Sequence, residues 1–322
     1  MIVVAAHSFS PRFGGSAWYH EKTKDAPRGP ACVEDFGLWP KDVLTTTTTQ
    51  RPFEAGSLAA RVRKARMTSM LAKGIVLHTD FSGQQSAEIA ARMLGVEMRA
   101  MGLTPGSSSG SGSSDGSNSA ASAQDWLVAW AACDSDEWCR KMILDSEHPS
   151  EHVFPEINSR LSKADLQKII SMRPKDTDSK EAKKKAYEQM HEYLNKCRKK
   201  FTRDLLRGPC LRHPGASCPV AWLDHGEPAS TRPLTMNISG CMCTPWTTYG
   251  TQEGLSSKHT ESFWVFLETC AGLAFDIVII ENHPGLPKEL VQLVLGKLYR
   301  IIRVVLGPED RNAHIEGLAK SL

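Results

Sequence analysis

Apolar positions fall into short unbroken runs separated by longer stretches with helical spacing. Gly74-Ile-Val-Leu-His-Thr-Asp80 is a short apolar run ending in a polar turn, the pattern of a buried strand. Ser86 to Met101 then carries Ala87, Ile89, Ala90, Met93, Leu94 and Met98 at the 3.6-residue helical period. Asp125 to Cys133 reads as a second strand, Glu137 to Ser146 as a helix, and His152-Val-Phe154 as a short third strand. This β-α-β-α-β order predicts a parallel sheet with crossover helices.

Helix formers interrupt the order from Ser162 to Arg207. Ala186, Met190, Tyr193, Leu194, Cys197, Phe201 and Leu205 form one apolar stripe there. Between Lys163 and Arg207 stand 14 Lys or Arg against 7 Asp or Glu, which fits either a solvated helix face or an arm that contacts phosphates. The sheet resumes with a strand at Leu234 to Ser239, a helix from Thr260 to Gly272 and a strand at Phe275 to Ile280. A helix from Pro287 to Tyr299 and a strand from Ile301 to Leu306 follow.

Two segments lack any period. Residues 1–58 are rich in Pro, Gly, Ser and Thr, and are expected to be a disordered leader. Residues 104–124, almost purely Gly and Ser, read as a flexible insertion. Arg61 to Lys73 has the composition of a short basic helix. The expected organisation is one α/β domain over 59–322, with a basic helical insertion over 160–232.

Composition narrows the class only slightly. The apolar fraction is 41% and the charged fraction 23%, as in a globular protein, and the net charge is +3. No run approaches the roughly 18 apolar residues of a membrane span. Nine cysteines, an odd number scattered over 322 residues, suggest reduced thiols. An intracellular location is expected, the nucleus ahead of the cytoplasm.

Ligands of open α/β sheets bind at the carboxyl ends of the strands. Three polar turns stand at such ends: Asp80-Phe-Ser-Gly83, Asp134-Ser-Asp136 and Pro155-Glu156-Ile157. Gly83 allows close approach of backbone to ligand. An acid after the second strand suits ribose hydroxyls, and a carboxylate after the third suits an adenine amino group. Together they suggest a nucleoside site without a phosphate cradle, as S-adenosyl-L-methionine needs.

The segment Gly240-Cys-Met-Cys-Thr-Pro-Trp-Thr-Thr-Tyr-Gly250, followed by Glu281-Asn-His-Pro-Gly285, carries the most specific signal. It resembles the nucleophile loop of DNA (cytosine-5) methyltransferases, Gly-x-Pro-Cys-Gln-x-Phe-Ser-x-x-Gly. Matched without gaps, Gly240 and Gly250 fall on the two glycines, Cys243 on the nucleophile, Trp246 on the aromatic and Thr247 on the hydroxyl. Glu281-Asn282 is similar to the family's Glu-Asn-Val motif. Phe81, Ser82 and Gly83 resemble its donor-binding turn, Asp134 stands at its ribose acid, and Glu156-Ile157 at its Asp-Ile pair.

The resemblance implies a Rossmann-like, S-adenosyl-L-methionine-dependent methyltransferase fold with a mostly parallel sheet. It implies Cys243 as nucleophile, Glu281 as the acid that anchors the base, and Asn282 as a support for the loop. The implied reaction is methylation of C5 of cytosine in DNA. The same core on RNA, or a non-catalytic nucleic-acid-binding or scaffold relative, stays open beside it. The helix expected after the loop, from Thr260, would help to lower the thiol pKa through its N-terminal dipole.

This sequence departs from the family at Met242, at Thr244, and at Gln84-Gln85-Ser86, where the family has Gly-x-Gly. It ends soon after Gly307-Pro-Glu-Asp310 with no Gln-x-Arg-x-Arg segment, so a partner is expected to supply target recognition. Cys210-x-x-His213 with Cys218 offers three possible zinc ligands. A second Cys-x-x-Cys or His-x-x-x-His is missing, and no metal is assigned. Cys133, Cys241 and Cys270 are expected to be buried structural thiols.

Overall fold

Gly74 precedes the first strand of the expected core, and the strand runs as the apolar pattern requires. In the computed structural model, residues 2–6, 73–100, 127–222 and 232–303 are described, apart from residues 84, 176, 203–204, 248–249, 251–252, 258 and 284. The expected leader after residue 6, nearly all of the basic helix from Arg61 to Lys73, the Ser/Gly insertion and the segment from Gly307 to Asp310 lie outside these residues.

The elements follow in order as β1 (Ile2–Ala6), β2 (Ile75–Asp80), α1 (Ser86–Ala100), β3 (Leu127–Cys133), α2 (Glu137–Asp145) and β4 (His152–Phe154). A 3-10 turn at Ile157–Arg160 leads into α3 (Lys163–Met172) and α4 (Lys180–Cys197), and a second 3-10 turn covers Arg198–Phe201. Then come β5 (Arg207–Pro209), β6 (Ser217–Pro219), β7 (Leu234–Gly240), α5 (Thr260–Leu273), β8 (Ile277–Glu281), α6 (Lys288–Leu295) and β9 (Tyr299–Arg303).

Seven strands form one sheet in the order β4-β3-β2-β7-β8-β1-β9. The five strands β4, β3, β2, β7 and β8 run parallel, and helices flank them. The result is the α/β architecture expected from the alternation of runs. β2 lies at the centre, pairing Ile75 with Leu127 and with Leu234, and Asp80 with Cys133 and with Ser239.

β1 is a correction. Its apolar, β-branched run Ile-Val-Val lies antiparallel between β8 and β9, pairing Ile2 with Ile280 and with Arg303. The expectation of little order over 1–58 therefore fails for these first residues, whose β propensity is satisfied by two strand neighbours. A second correction concerns α6. It stops at Leu295 with Gly296 as its cap, and Tyr299 already belongs to β9 rather than to the helix.

α5 is the centre of the core. Its sequence Phe-Trp-Val-Phe-Leu is apolar all round, the mark of a helix covered on every side. Trp264, Phe266 and Leu267 are fully buried, each such side chain contributing roughly 1.5–3 kcal/mol. The insertion lays Met190, Leu194 and Phe201 into the same cluster. Leu205, expected on that stripe, is 67% exposed, because the helical period ends at Phe201 and Leu206 turns inward instead.

The basic charge of the insertion is partly directed inward. Arg198 donates to Glu268 of α5 at 3.0 and 2.7 Å, and His191 Nδ1 lies 2.9 Å from the same carboxylate. Arg173 bridges to Glu261. Lys200, Ser162 and Tyr193 donate to Asp165 at 2.6, 2.6 and 2.8 Å, which ties α3 to α4 and holds the Asp165 carboxyl well below the usual carboxylate range.

Candidate active site

From β2 the chain builds outward through β3 and β4, then returns to place β7 on the other side of β2. The strand order reverses there, and in open α/β sheets such a switch point is where the ligand crevice lies, beyond the carboxyl ends of the two strands, here β2 and β7. The Phe81–Gly83 turn and the loop bearing Cys243 both start at that crevice.

The turn after β2 is tightly held. Phe81, Gly83 and Gln85 take φ of 56°, 53° and 62°, the left-handed region that only glycine enters without cost. Ser82 N–H donates to the Cys133 carbonyl at 3.1 Å, and Cys133 N–H donates to Ser82 Oγ at 3.0 Å. Phe81 packs edge-on against Phe266, with ring centroids 6.1 Å apart. Gln85 is buried, and its amide nitrogen lacks a hydrogen-bond partner among the described residues.

Asp134 stands directly behind this turn. One carboxylate oxygen accepts from Gly83 N–H at 2.8 Å and the other from Asp136 N–H at 2.8 Å. Each oxygen keeps a lone pair for a further donor. Asp136 caps α2, and Trp138 in the first turn of that helix is 58% exposed. This leaves a large exposed aromatic surface near Asp134 that the sequence analysis did not single out. Its only signal was a Trp opening a helix at a strand end.

Glu156 is exposed at the end of β4, where its Oε1 accepts from Asn158 at 3.2 Å. Ile157 points the other way, into the hydrophobic core, and leaves only its backbone to a ligand. Beneath the turn, Asp80 is buried against Arg160, which donates to it through both terminal nitrogens, while Asn237 donates at 2.9 Å. Ser239 donates to Asn237 at 2.9 Å and extends the network along β7.

The two cysteines of Cys241-Met-Cys243 differ in environment. Cys241 is buried, and burial first, then the Asp80 and Glu281 carboxylates, push its thiol well above the ordinary value. Burial likewise raises Cys133 and Cys270. Cys243 is exposed. Its carbonyl accepts from Trp246 and Thr247 N–H at 2.8 and 3.1 Å, which winds the loop into one turn. The next α-helix, α5, starts at Thr260, where the sequence placed it.

Gly250 closes the loop. A Cβ there would stand 2.0 Å from the Thr244 carbonyl oxygen, so only glycine fits. The loop also meets the end of β8. Asn282 Nδ2 donates to the Cys241 carbonyl at 2.8 Å, and the backbone of Gly285 approaches the Trp246 carbonyl. A Cβ at Gly240 would lie 3.7 Å from the Phe81 carbonyl oxygen and 3.8 Å from Glu281 Oε2. Phe81, Glu281 and the start of the Cys243 loop thus share one rim of the sheet.

Cys210, His213 and Cys218 gather at the outer edge of the sheet, away from this crevice, and His152 of β4 joins them. Its place, 58 residues before Cys210, gives no spacing signal in the sequence. No protein-family model, curated protein or solved structure matches the chain.

Proposed function

We propose that this chain is a cytosine-5 methyltransferase of Rossmann-like fold, acting on DNA through a covalent adduct of Cys243. The observation that carries the reading is an exposed thiol on a loop tied to the strand end that bears Glu281, beside the turn after the central strand.

Three features of these strand ends support a site for S-adenosyl-L-methionine. Asp134 has lone pairs to accept ribose hydroxyls, Trp138 offers a face for adenine, and Glu156 is exposed within the same row of strand ends. Phe81 and Ser82 shape the floor, with Gly83 admitting the backbone close to the ligand. S-adenosyl-L-methionine, when bound, supplies an electrophilic methyl group to C5 of the activated base.

Cytosine C5 is too weak a nucleophile to take that methyl group unaided. The Cys243 thiolate adds to C6, forming an S–C6 bond and moving an electron pair toward C5 and N3. Glu281 anchors N3 and the exocyclic amine and stabilises the resulting enamine. After C5 is methylated, loss of its proton returns an electron pair to the ring and expels Cys243. In a duplex the base is first flipped out, at a cost of a few kcal/mol. A nuclear setting follows from this reading.

The test is a covalent trap. Oligonucleotides containing 5-fluorocytosine, offered with S-adenosyl-L-methionine, should crosslink to the chain, and Cys243→Ala should abolish the crosslink. Trapping RNA but not DNA would move the substrate to RNA. Absence of both crosslinking and donor binding by calorimetry at millimolar concentration would leave a non-catalytic scaffold.

A further inference from the structure

A cluster at the outer edge of the sheet plays no part in the proposed reaction. Cys210 follows β5, Cys218 lies within β6 opposite Gly208, and His213 sits in the turn between them. The ribbon is held against β4 by backbone and side chain. Leu211 N–H donates to the Val153 carbonyl at 2.8 Å, and Arg212 donates to the Ser150 carbonyl at 2.8 Å. Docking there brings His152 to the two thiols, while Trp130 packs edge-on against the His152 ring at 4.7 Å.

Three sulfur–nitrogen distances in the cluster lie close to the edges of a zinc tetrahedron. Cys210 Sγ lies 3.4 Å from His213 Nδ1 and 3.8 Å from His152 Nδ1, and Cys218 Sγ lies 3.5 Å from His213 Nδ1. One ligand atom from each of the four residues falls within 4.8 Å of every other. Zinc bonds of about 2.3 Å to sulfur and about 2.0 Å to nitrogen put the corners of a tetrahedron about 3.3–3.8 Å apart. These three sulfur–nitrogen distances lie close to those edges.

We propose that His152, Cys210, His213 and Cys218 bind one zinc ion as a closed Cys2His2 site that clasps the β5–β6 ribbon to the edge strand β4. Two thiolates balance the charge of the ion, and the thiol protons leave to solvent as it binds. Two sulfurs and two imidazoles in a tetrahedron favour zinc over harder cations. Cys210 and Cys218 are nearly buried while His213 is exposed, so the ion has an entry path and no open coordination position for chemistry. The role is structural: the ligands come from a strand of the sheet and from an insertion that is otherwise bound to it by few backbone bonds. The proposal is independent of any methyltransferase activity.

The full chain, purified without chelator and dialysed against metal-free buffer, should carry one zinc per chain by elemental mass spectrometry. Cobalt exchanged into the wild-type chain should show tetrahedral visible bands and a near-ultraviolet thiolate charge-transfer band. Cys210→Ser with Cys218→Ser should reduce bound metal to background, and His152→Ala should weaken cobalt binding and change its spectrum. A folded wild-type chain that holds neither zinc nor cobalt overturns the proposal. So does zinc that persists at full occupancy in the double serine variant. The cobalt spectrum of the wild type keeps the test decisive even if the variants fail to fold.

Discussion

The side-chain amide of Asn282 reaches across the end of the sheet and donates to the Cys241 carbonyl at 2.8 Å. Both residues are buried, so this hydrogen bond fixes the root of the loop that carries Cys243 to the strand end that carries Glu281. Cys243 and Glu281 are thereby linked through one polar contact between buried groups.

Asn282→Ala should act on both stability and reaction. It leaves the Cys241 carbonyl buried without its partner, a loss of about 1–3 kcal/mol. Urea denaturation should show that loss, and trapping by 5-fluorocytosine should slow while donor affinity stays close to wild type. An unchanged trapping rate would mean that the loop keeps its place without the tether.

The buried pair beneath the crevice predicts an asymmetry. Arg160→Met leaves the Asp80 carboxylate buried with Asn237 as its one side-chain donor among the described residues, and should cost about 3–5 kcal/mol. The double variant Asp80→Asn with Arg160→Met should recover much of that loss, since the cost comes from an unpaired charge rather than from missing contacts. Additive losses in a double-mutant cycle would refute the coupling.

Most of the parallel sheet was legible because its strands are apolar runs between helical periods, as at Gly74 to Asp80 and Phe275 to Ile280. The motif residues at strand ends were legible because each follows such a run. What the sequence hid depends on long-range contact. Ile2–Ala6 looked like part of an unpatterned leader, and its pairing with β8 and β9 spans most of the chain. His152 joins Cys210 through docking of a ribbon that no periodicity announces. Ile157 read as a ligand contact from its neighbour Glu156, but its side chain follows the apolar rule and goes to the core.

Glu88 gives a pH signature. Its carboxyl is buried in the first turn of α1, accepting from Thr79 Oγ1 at 2.5 Å through one oxygen while the other has no partner among the described residues. Burial raises its pKa above the ordinary 4.5, outweighing the hydrogen bond from Thr79. Below the unfolded value both states are protonated and no penalty exists. As pH rises through the folded value the native state must ionise a buried group, and stability falls. Glu88→Gln should therefore be more stable than wild type at neutral pH, with the difference vanishing toward pH 4.5 in urea titrations. A gap that does not change with pH would exclude ionisation as its cause.

β1 makes the strongest structural commitment, because it supplies both neighbours of an otherwise open gap. Among the described residues β9 is paired only with β1, and β8 has β1 on one side and β7 on the other. Deleting residues 1–6 should strip β9 of its ladder and expose the backbone of Ile277–Glu281 along one edge. An exposed, apolar edge strand is a template for association. The truncated chain should lose amide protection over Tyr299–Arg303 first, then over β8, and should self-associate at concentrations where the full chain does not. Glu281 ends β8, so the same deletion should also weaken trapping of 5-fluorocytosine. Hydrogen exchange identical in the two chains over both strands would show that β9 is held without β1, and the order of the sheet at that edge would have to be redrawn.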